Sequence, residues 1–506
     1  MKILPLEDLA NKVKALKESG KTVALCHGVF DLLHVGHIRH LSHAKSIADC
    51  LVVTVTNDTN VVKGPGRPVF TEALRAEQIA SLEDVDYVAI SQDVTAVKAL
   101  QLIKPDIYVK GGEYKDLQSD LTGNIEKEIK EVEKHGGNIV FTNEIVFSSS
   151  NIINTHSDLL SEEAKEYIKF IKEQFSIEDI VDSLDALKGK RILVFGDAII
   201  DEYISTRALG QSGKYNVLSV KKETSERFAG GALAVANHIA QLSDQVSILT
   251  GIGPETENRE FIDSKISKNV SKKLFIFTNS PTLQKIRYVG DDGTRLFELY
   301  EYNDNPVCED LENKICRWLE ANIRDFDLVV VPDFGNGLIT EKMIKICCDK
   351  AANLAVNTQV NSGNRGFHSI TKYSRADYVC LNETELRLAV RDQTGDIAAI
   401  SRWVADALGV RWLAVTRGAR GILFYDGQDN SFSSVPAVTS ASEVVDRIGA
   451  GDAFLAFASS IMLSRQNPAL AMFIGSVAAA IDVQIVCNRE PVDFARLRSF
   501  INTLLK

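Results

Sequence analysis

At 506 residues the chain exceeds one ordinary hydrophobic core, so two or three domains are expected. Its composition, 45% hydrophobic and 25% charged, is that of a soluble globular protein, and no apolar run reaches the length of a membrane span. The net charge of −11 argues against a broad nucleic-acid or acidic-membrane surface, so anionic ligands must be held by local clusters. Acids stand at the start where a signal peptide has its apolar core, which points to the cytoplasm. The eight cysteines form no C-x-x-C pair and fit reduced thiols better than a disulfide framework or a zinc site.

In chain order, residues 21–26 predict a short apolar strand, followed by a His-rich loop and a helical pattern over 38–48. Strands are expected at 50–56, 87–90, 107–109 and 138–141, with helical patterns between them. This alternation predicts a parallel sheet covered on both faces, ending near residue 155. Residues 157–188 are helical and charge-rich and suggest a connector. A second βα series follows at 191–195, 246–250, 328–331, 354–356, 378–381 and 412–416. Residues 215–220 and 283–302, the latter with the turn Gly290–Gly293, predict hairpin strands outside that sheet, placed as a lid.

Five of the nine histidines fall between His27 and His43, within and just after Cys26–His37 (CHGVFDLLHVGH). His34 and His37 flank Gly36 where loop meets helix, so first-turn amides and the helix dipole favour phosphate there. Two imidazoles three residues apart can donate to oxygens of a phosphate under attack, a reaction that needs positioning and charge stabilisation more than covalent help. His40 and His43 continue the spacing and are expected on an exposed helix face.

In its context this stretch resembles the cytidylyltransferase-like nucleotidyltransferase superfamily. It is more closely similar to the nucleotidyltransferase half of the bifunctional heptose-phosphate kinase/ADP-heptose synthases. The likeness includes Asn57-Asp58, Val62–Val69 (VKGPGRPV), Arg75, Val109–Tyr114 (VKGGEY) and Ser148–Ile153 (SSSNII). The resemblance implies that His34, His37 and Lys63 act in catalysis. Gly28, Phe30, Asp31, Gly36, Arg67, Lys110, Gly111, Ser148, Ser149 and Ser150 would bind nucleotide and phosphate. A sugar phosphate would attack the α-phosphorus of a nucleoside triphosphate, pyrophosphate would leave, and Mg2+ would neutralise the triphosphate.

Near the other end, Asp446–Phe454 (DRIGAGDAF) runs from glycines into an apolar stretch. Glycines opening a helix expose amides to a transferring phosphoryl group, and Asp452 in the first turn is placed to take the acceptor hydroxyl's proton. The motif resembles the ribokinase-like sugar kinases, and residues from about 189 to 500 follow that pattern. The resemblance implies sugar contacts from Asp197, Asp201, Gly230, Gly231, Lys285 and Arg287. ATP would be bound by Asn382, Glu385, Thr416, Gly418, Gly449, Ala450 and Gly451. No direct metal ligand is assigned; Mg2+ is expected through the nucleotide phosphates, with Glu385 the one candidate side chain.

Three departures from the heptose kinases stand out. Ala232-Leu233-Ala234 replaces Ala-Ala-Asn, Asn357-Thr358-Gln359 replaces Asp-Pro-Lys, and the domain order is reversed. The expected fold is therefore α/β, with a Rossmann-like nucleotidyltransferase domain at 1–155, a helical linker at 156–188, and a ribokinase-like domain with a small β lid at 189–506. The expected function is bifunctional synthesis of a nucleotide-activated sugar, with heptose 7-phosphate phosphorylated at O1 and then nucleotidylated. Two alternatives stay open: cytidylyl or guanylyl transfer to another sugar or polyol phosphate, and a non-catalytic sugar-sensing or dimerisation role for the kinase-like half. Expected partners are small-molecule sugar phosphates and nucleotides and a second copy of the chain, with neither nucleic acid nor membrane.

Overall fold

The computed structural model describes residues 2–61, 67–93, 95–112, 124–142, 160–303, 307–439, 444–465 and 467–505. The chain divides into two compact units, Met1–Ser161 with Ala495–Lys506, and Glu162–Phe494.

The first unit is built on five parallel strands: β1 (Val23–Gly28), β2 (Cys50–Thr56), β3 (Tyr87–Ser91), β4 (Ile107–Gly111) and β5 (Asn138–Thr142). Their order is β3-β2-β1-β4-β5. Every residue of β2 is buried, as a strand covered on both faces requires. One apolar cluster gathers Leu9, Val13 and Leu100; the other gathers Leu41, Ala76 and Ile79. The strand order reverses between β1 and β4, so a crevice opens beyond their carboxyl ends, the usual ligand position in such sheets.

The second unit carries a nine-stranded sheet made of β6 (Arg191–Phe195), β9 (Gln245–Ile252), β10 (Val270–Ile276), β13 (Leu328–Asp333), β14 (Leu354–Thr358), β15 (Tyr378–Asn382), β16 (Trp412–Thr416), β17 (Ile422–Asp426) and β18 (Ser431–Val435). The order is β10-β9-β6-β13-β14-β15-β16-β17-β18, with only β17 and β18 antiparallel to their neighbours. A separate four-stranded sheet, β12-β11-β7-β8, holds β7 (Ala198–Gln211), β8 (Leu218–Gly231), β11 (Gln284–Val289) and β12 (Arg295–Glu301).

The expected helical pattern over 157–188 is present as helices Glu162–Gln174 and Ile177–Asp185, the second opened by a capping box at Ser176. The lid prediction holds for 283–302, where Gly293, at a φ of 80°, closes the turn onto Gly290. It needs correction at its first hairpin. Residues 215–217 lie in the turn, while β7 and β8 run fourteen residues each on either side. Their outer halves are largely exposed and mix polar residues with exposed Leu209 and Leu218, so no sustained apolar alternation marks them as strands.

Candidate functional sites

In the first unit, β1 delivers the loop 28–34 to the crevice, and helix Val35–Ser46 begins there. His34 caps that helix: its Nδ1 accepts the Gly36 amide at 3.1 Å. The proton of the neutral ring therefore sits on Nε2, leaving that atom as a donor. The His34 and His37 rings stack at 3.9 Å between centroids, and Phe30 sets its ring edge-on to His37 at 5.4 Å. Partial burial lowers the His34 pKa, which favours the neutral form. Phe30 reaches its position through a left-handed backbone, φ 49°.

Asp31 is buried, and its Oδ1 accepts the amides of Val69 and Phe70 at 2.7 and 3.1 Å. It anchors the loop that follows Arg67. The guanidinium of fully buried Arg75 ties that same region together, donating to the Phe70 and Val29 carbonyls and to Asp58. Beyond β4, Lys110 pairs with Glu128 at 3.0 Å, and Glu128 also accepts Tyr108 Oη and the Ala96 amide. Burial pushes the Glu128 carboxyl up, but Lys110, the Ala96 amide and His27 together outweigh it and hold the group below its ordinary value. Glu128 was not foreseen, because its helix NIEKEIKEVEK offers several acids and nothing in the sequence marks one as buried. Gly111 closes β4 beside Lys110. His40 is not on a free face; its Nδ1 meets Thr142 Oγ1 at 3.0 Å. Burial lowers the His27 pKa to about 4, and its ring bonds Thr54 at 2.9 Å. Lys63 and Ser148, Ser149 and Ser150 lie outside the described residues.

In the second unit, a pocket of about 300 Å³ gathers most of the expected kinase residues: Asp201, Gly231, Lys285, Arg287, Asn382, Glu385, Thr416, Gly449, Gly451 and Asp452. Gly449 (φ 105°) turns the chain into helix Ala450–Arg465, where a side chain would collide with Asn488 and Asp482. Amides of the first turn and the Asp452 carboxyl thus open onto one space. Asp452 is 7% exposed, and burial raises its carboxyl to about 7. Burial likewise raises Glu385 to about 7. Glu385 and Asn382 form a reciprocal cap of helix Glu383–Val390, each side chain bonding the other's amide at 2.8 Å.

The two lid cations differ. Arg287 is held between Asp201 and Glu298, the latter at 2.9 Å, and this pairing raises its pKa against the effect of burial. Lys285 lies over the faces of Tyr300 and Phe334 at 5.6 and 5.3 Å, and among the described residues it forms no ion pair. Lys285 is therefore a buried cation available to an incoming anion. Asp197 faces a separate small cavity with Tyr302, Asn303 and Asn336, and burial, aided by Asp333, raises it to about 6. Gly230 abuts Asp201, Ala450 starts the helix, and Gly418 turns the chain after β16 with a φ of 59°. Asp446, at the head of the motif, accepts Tyr203 Oη at 2.7 Å and Arg295 at 2.6 Å, which fastens the glycine loop to the lid sheet. Asn357, Arg447 and Asn488 also line the pocket and were not singled out as site residues from sequence.

A Rossmann-like crevice with paired histidines and an α/β pocket with a buried aspartate at a glycine-rich helix start define a phosphoryl- and nucleotidyl-handling class of protein. Residues 189–491, more than half of the chain, match the pfkB family carbohydrate kinase model, and the chain belongs to that family. Residues 25–155 match the cytidylyltransferase-like model. Among curated proteins, the bifunctional protein HldE of Sulfurimonas denitrificans is 47% identical over 110 residues, 21% of this chain and 23% of that protein. The HldE of Helicobacter pylori is 37% identical over 164 residues, 31% of this chain and 32% of that protein. The chain thus spans about a quarter to a third of the length of these relatives. Among solved structures, Thermotoga maritima ribokinase has a TM-score of 0.49 at 17% identity, covering 62% of this chain and 99% of its own. Arabidopsis thaliana ribokinase, complexed with ribose and ATP, has a TM-score of 0.47 at 19% identity, covering 63% and 99%.

Proposed function

We propose that the chain is a bifunctional enzyme that makes a nucleotide-activated sugar, phosphorylating a sugar phosphate in one half and nucleotidylating the product in the other. The single observation that carries this is the pocket joining buried Asp452, the Gly449–Gly451 helix start and uncommitted Lys285. The kinase substrate best suited is heptose 7-phosphate, phosphorylated at O1, with Lys285 on the existing phosphate. Asp452 takes the proton of the attacking hydroxyl, and the first-turn amides stabilise charge on the transferring phosphoryl group. Glu385 fits a role beside Mg2+–ATP: it lines the pocket, burial raises its carboxyl to about 7, and a cation bound nearby would favour its ionised form. Mg2+, when bound, neutralises phosphate charge.

In the other half, the sugar 1-phosphate oxygen attacks the α-phosphorus of the nucleoside triphosphate and pyrophosphate leaves. His34 Nε2–H and His37 donate to the α-phosphate oxygens, aided by the amides of helix Val35–Ser46. Lys63 and the Ser148–Ser150 run belong to the same proposed site. We assign nucleotidyl transfer to 1–155, linkage to 156–188 and phosphorylation to 189–506, in a cytoplasmic homodimer. The test is conversion of heptose 7-phosphate with ATP and Mg2+, followed by mass spectrometry. A bisphosphate and then a nucleotide-heptose are expected; no consumption of heptose 7-phosphate would refute the substrate assignment.

A further inference from the structure

We propose that Gln359 is a positioning residue for the kinase reaction, holding Asp452 by one carboxylate oxygen so that the other faces the acceptor hydroxyl. This rests on Asp452 being the base in the proposed function. Gln359 follows β14, and its amide donates to the Asp333 carbonyl at 2.8 Å, which fixes the residue at the carboxyl edge of the large sheet. Its Nε2 donates to Asp452 Oδ1 at 2.8 Å. The next amide, Val360, donates to Glu385 Oε1 at 3.3 Å, so two consecutive residues hold two of the pocket carboxyls, Asp452 and Glu385.

The loop that carries them is itself braced. Asn364 Nδ2 donates to the Phe334 carbonyl at 2.8 Å and to the Gln359 carbonyl at 3.3 Å, while Asn361 Nδ2 reaches the Phe334 carbonyl at 3.2 Å. The polar stretch from Asn357 to Gly366 is thus a scaffold that presents one carboxamide to Asp452. A carboxamide N–H donates without adding charge, so it does not compete with Lys285 for an anionic substrate. Among the described residues, the other charged or titratable groups around Asp452 are Asp201 on β7, Lys285 and Arg287 on β11, Cys380 on β15, Glu385 on the helix after β15, and Arg447 at the pocket rim. Lys285 attracts the ionised form of Asp452, whereas Asp201 opposes it. Among the described residues, Gln359 is the side chain that hydrogen-bonds it.

The experiment uses the full-length protein with Gln359→Leu, which removes the donor, and Gln359→Lys, which restores an N–H donor. Turnover of heptose 7-phosphate with ATP is expected to fall about 10- to 100-fold in kcat for the leucine variant, with both KM values nearly unchanged, and to recover in the lysine variant. In parallel, the pH titration of the Asp452 carboxyl is followed by infrared difference spectroscopy, with Asp452→Asn identifying the band. Its midpoint should rise by about one pH unit in Gln359→Leu and fall in Gln359→Lys. A merely structural role would alter stability and leave that midpoint in place. An unmoved midpoint, or leucine and lysine variants that behave alike, would overturn the inference. Full kinase activity in Asp452→Asn would instead overturn the proposed function. The infrared arm needs no substrate, so the hydrogen bond's effect is decided even if heptose 7-phosphate is not turned over.

Discussion

Replacing Asp452 by asparagine should inactivate the kinase half and stabilise its fold at the same time. The carboxyl is buried and shifts from 3.8 to about 7, roughly three pH units, or about 4 kcal/mol at about 1.4 kcal/mol per unit. Because the folded pKa is raised, the folded state binds the proton more tightly than the unfolded chain. The resulting penalty is absent below about pH 4, grows as pH rises towards 7, and is complete above it. Asparagine keeps an oxygen for the Gln359 donor and carries no charge, so it escapes this penalty. Urea unfolding followed by tryptophan fluorescence measures this directly, since all three tryptophans, Trp318, Trp403 and Trp412, lie in the second unit. The variant should gain up to about 4 kcal/mol at pH 8 and almost nothing at pH 4, while losing about 100- to 10,000-fold in kinase kcat. A stability difference that does not change with pH, or activity within tenfold of the parent, would refute the reasoning.

The wild-type kinase kcat should itself rise with pH through about 7 as Asp452 ionises; a flat profile from pH 5 to 8 would contradict its role as base. Lys285→Ala should raise KM for a phosphorylated sugar about 10- to 100-fold and leave that for an unphosphorylated analogue nearly unchanged, as steady-state kinetics with both would show. The pair His34→Ala/His37→Ala should abolish nucleotide transfer from a supplied sugar 1-phosphate, read as pyrophosphate release, while kinase turnover persists. Glu128→Gln removes the buried carboxylate that pairs with Lys110. A loss of about 3 kcal/mol is expected in the first unit, visible as faster hydrogen exchange in Ile107–Gly111.

Much of the fold was legible because the parallel strands are short, mostly apolar runs separated by helical patterns. Residues 50–56 and 328–331 could be placed from pattern alone. The lid hairpin was less legible, because the outer halves of β7 and β8 are largely exposed and their strand character comes from pairing, β7 with both β8 and β11. The glycines and Asp452 were readable as a motif, since phosphate-binding amides need small residues at a helix start. Glu128 and the role of Gln359 were not. Each acts through a partner distant in sequence, Lys110 and Asp452 respectively, and only folding brings these pairs together. The Lys285 and Arg287 pair was found from sequence, but the division between them was not. It depends on Asp201 and Glu298 both reaching Arg287.

The most direct test of the two-step account is one reaction of full-length protein with heptose 7-phosphate, Mg2+ and ATP, run with ATP alone or with added CTP or GTP, and followed over time by mass spectrometry. The account predicts a transient heptose bisphosphate, then a nucleotide-heptose, with the His34→Ala/His37→Ala variant stopping at the bisphosphate. Unconsumed heptose 7-phosphate alongside activation of a supplied sugar 1-phosphate would contradict it.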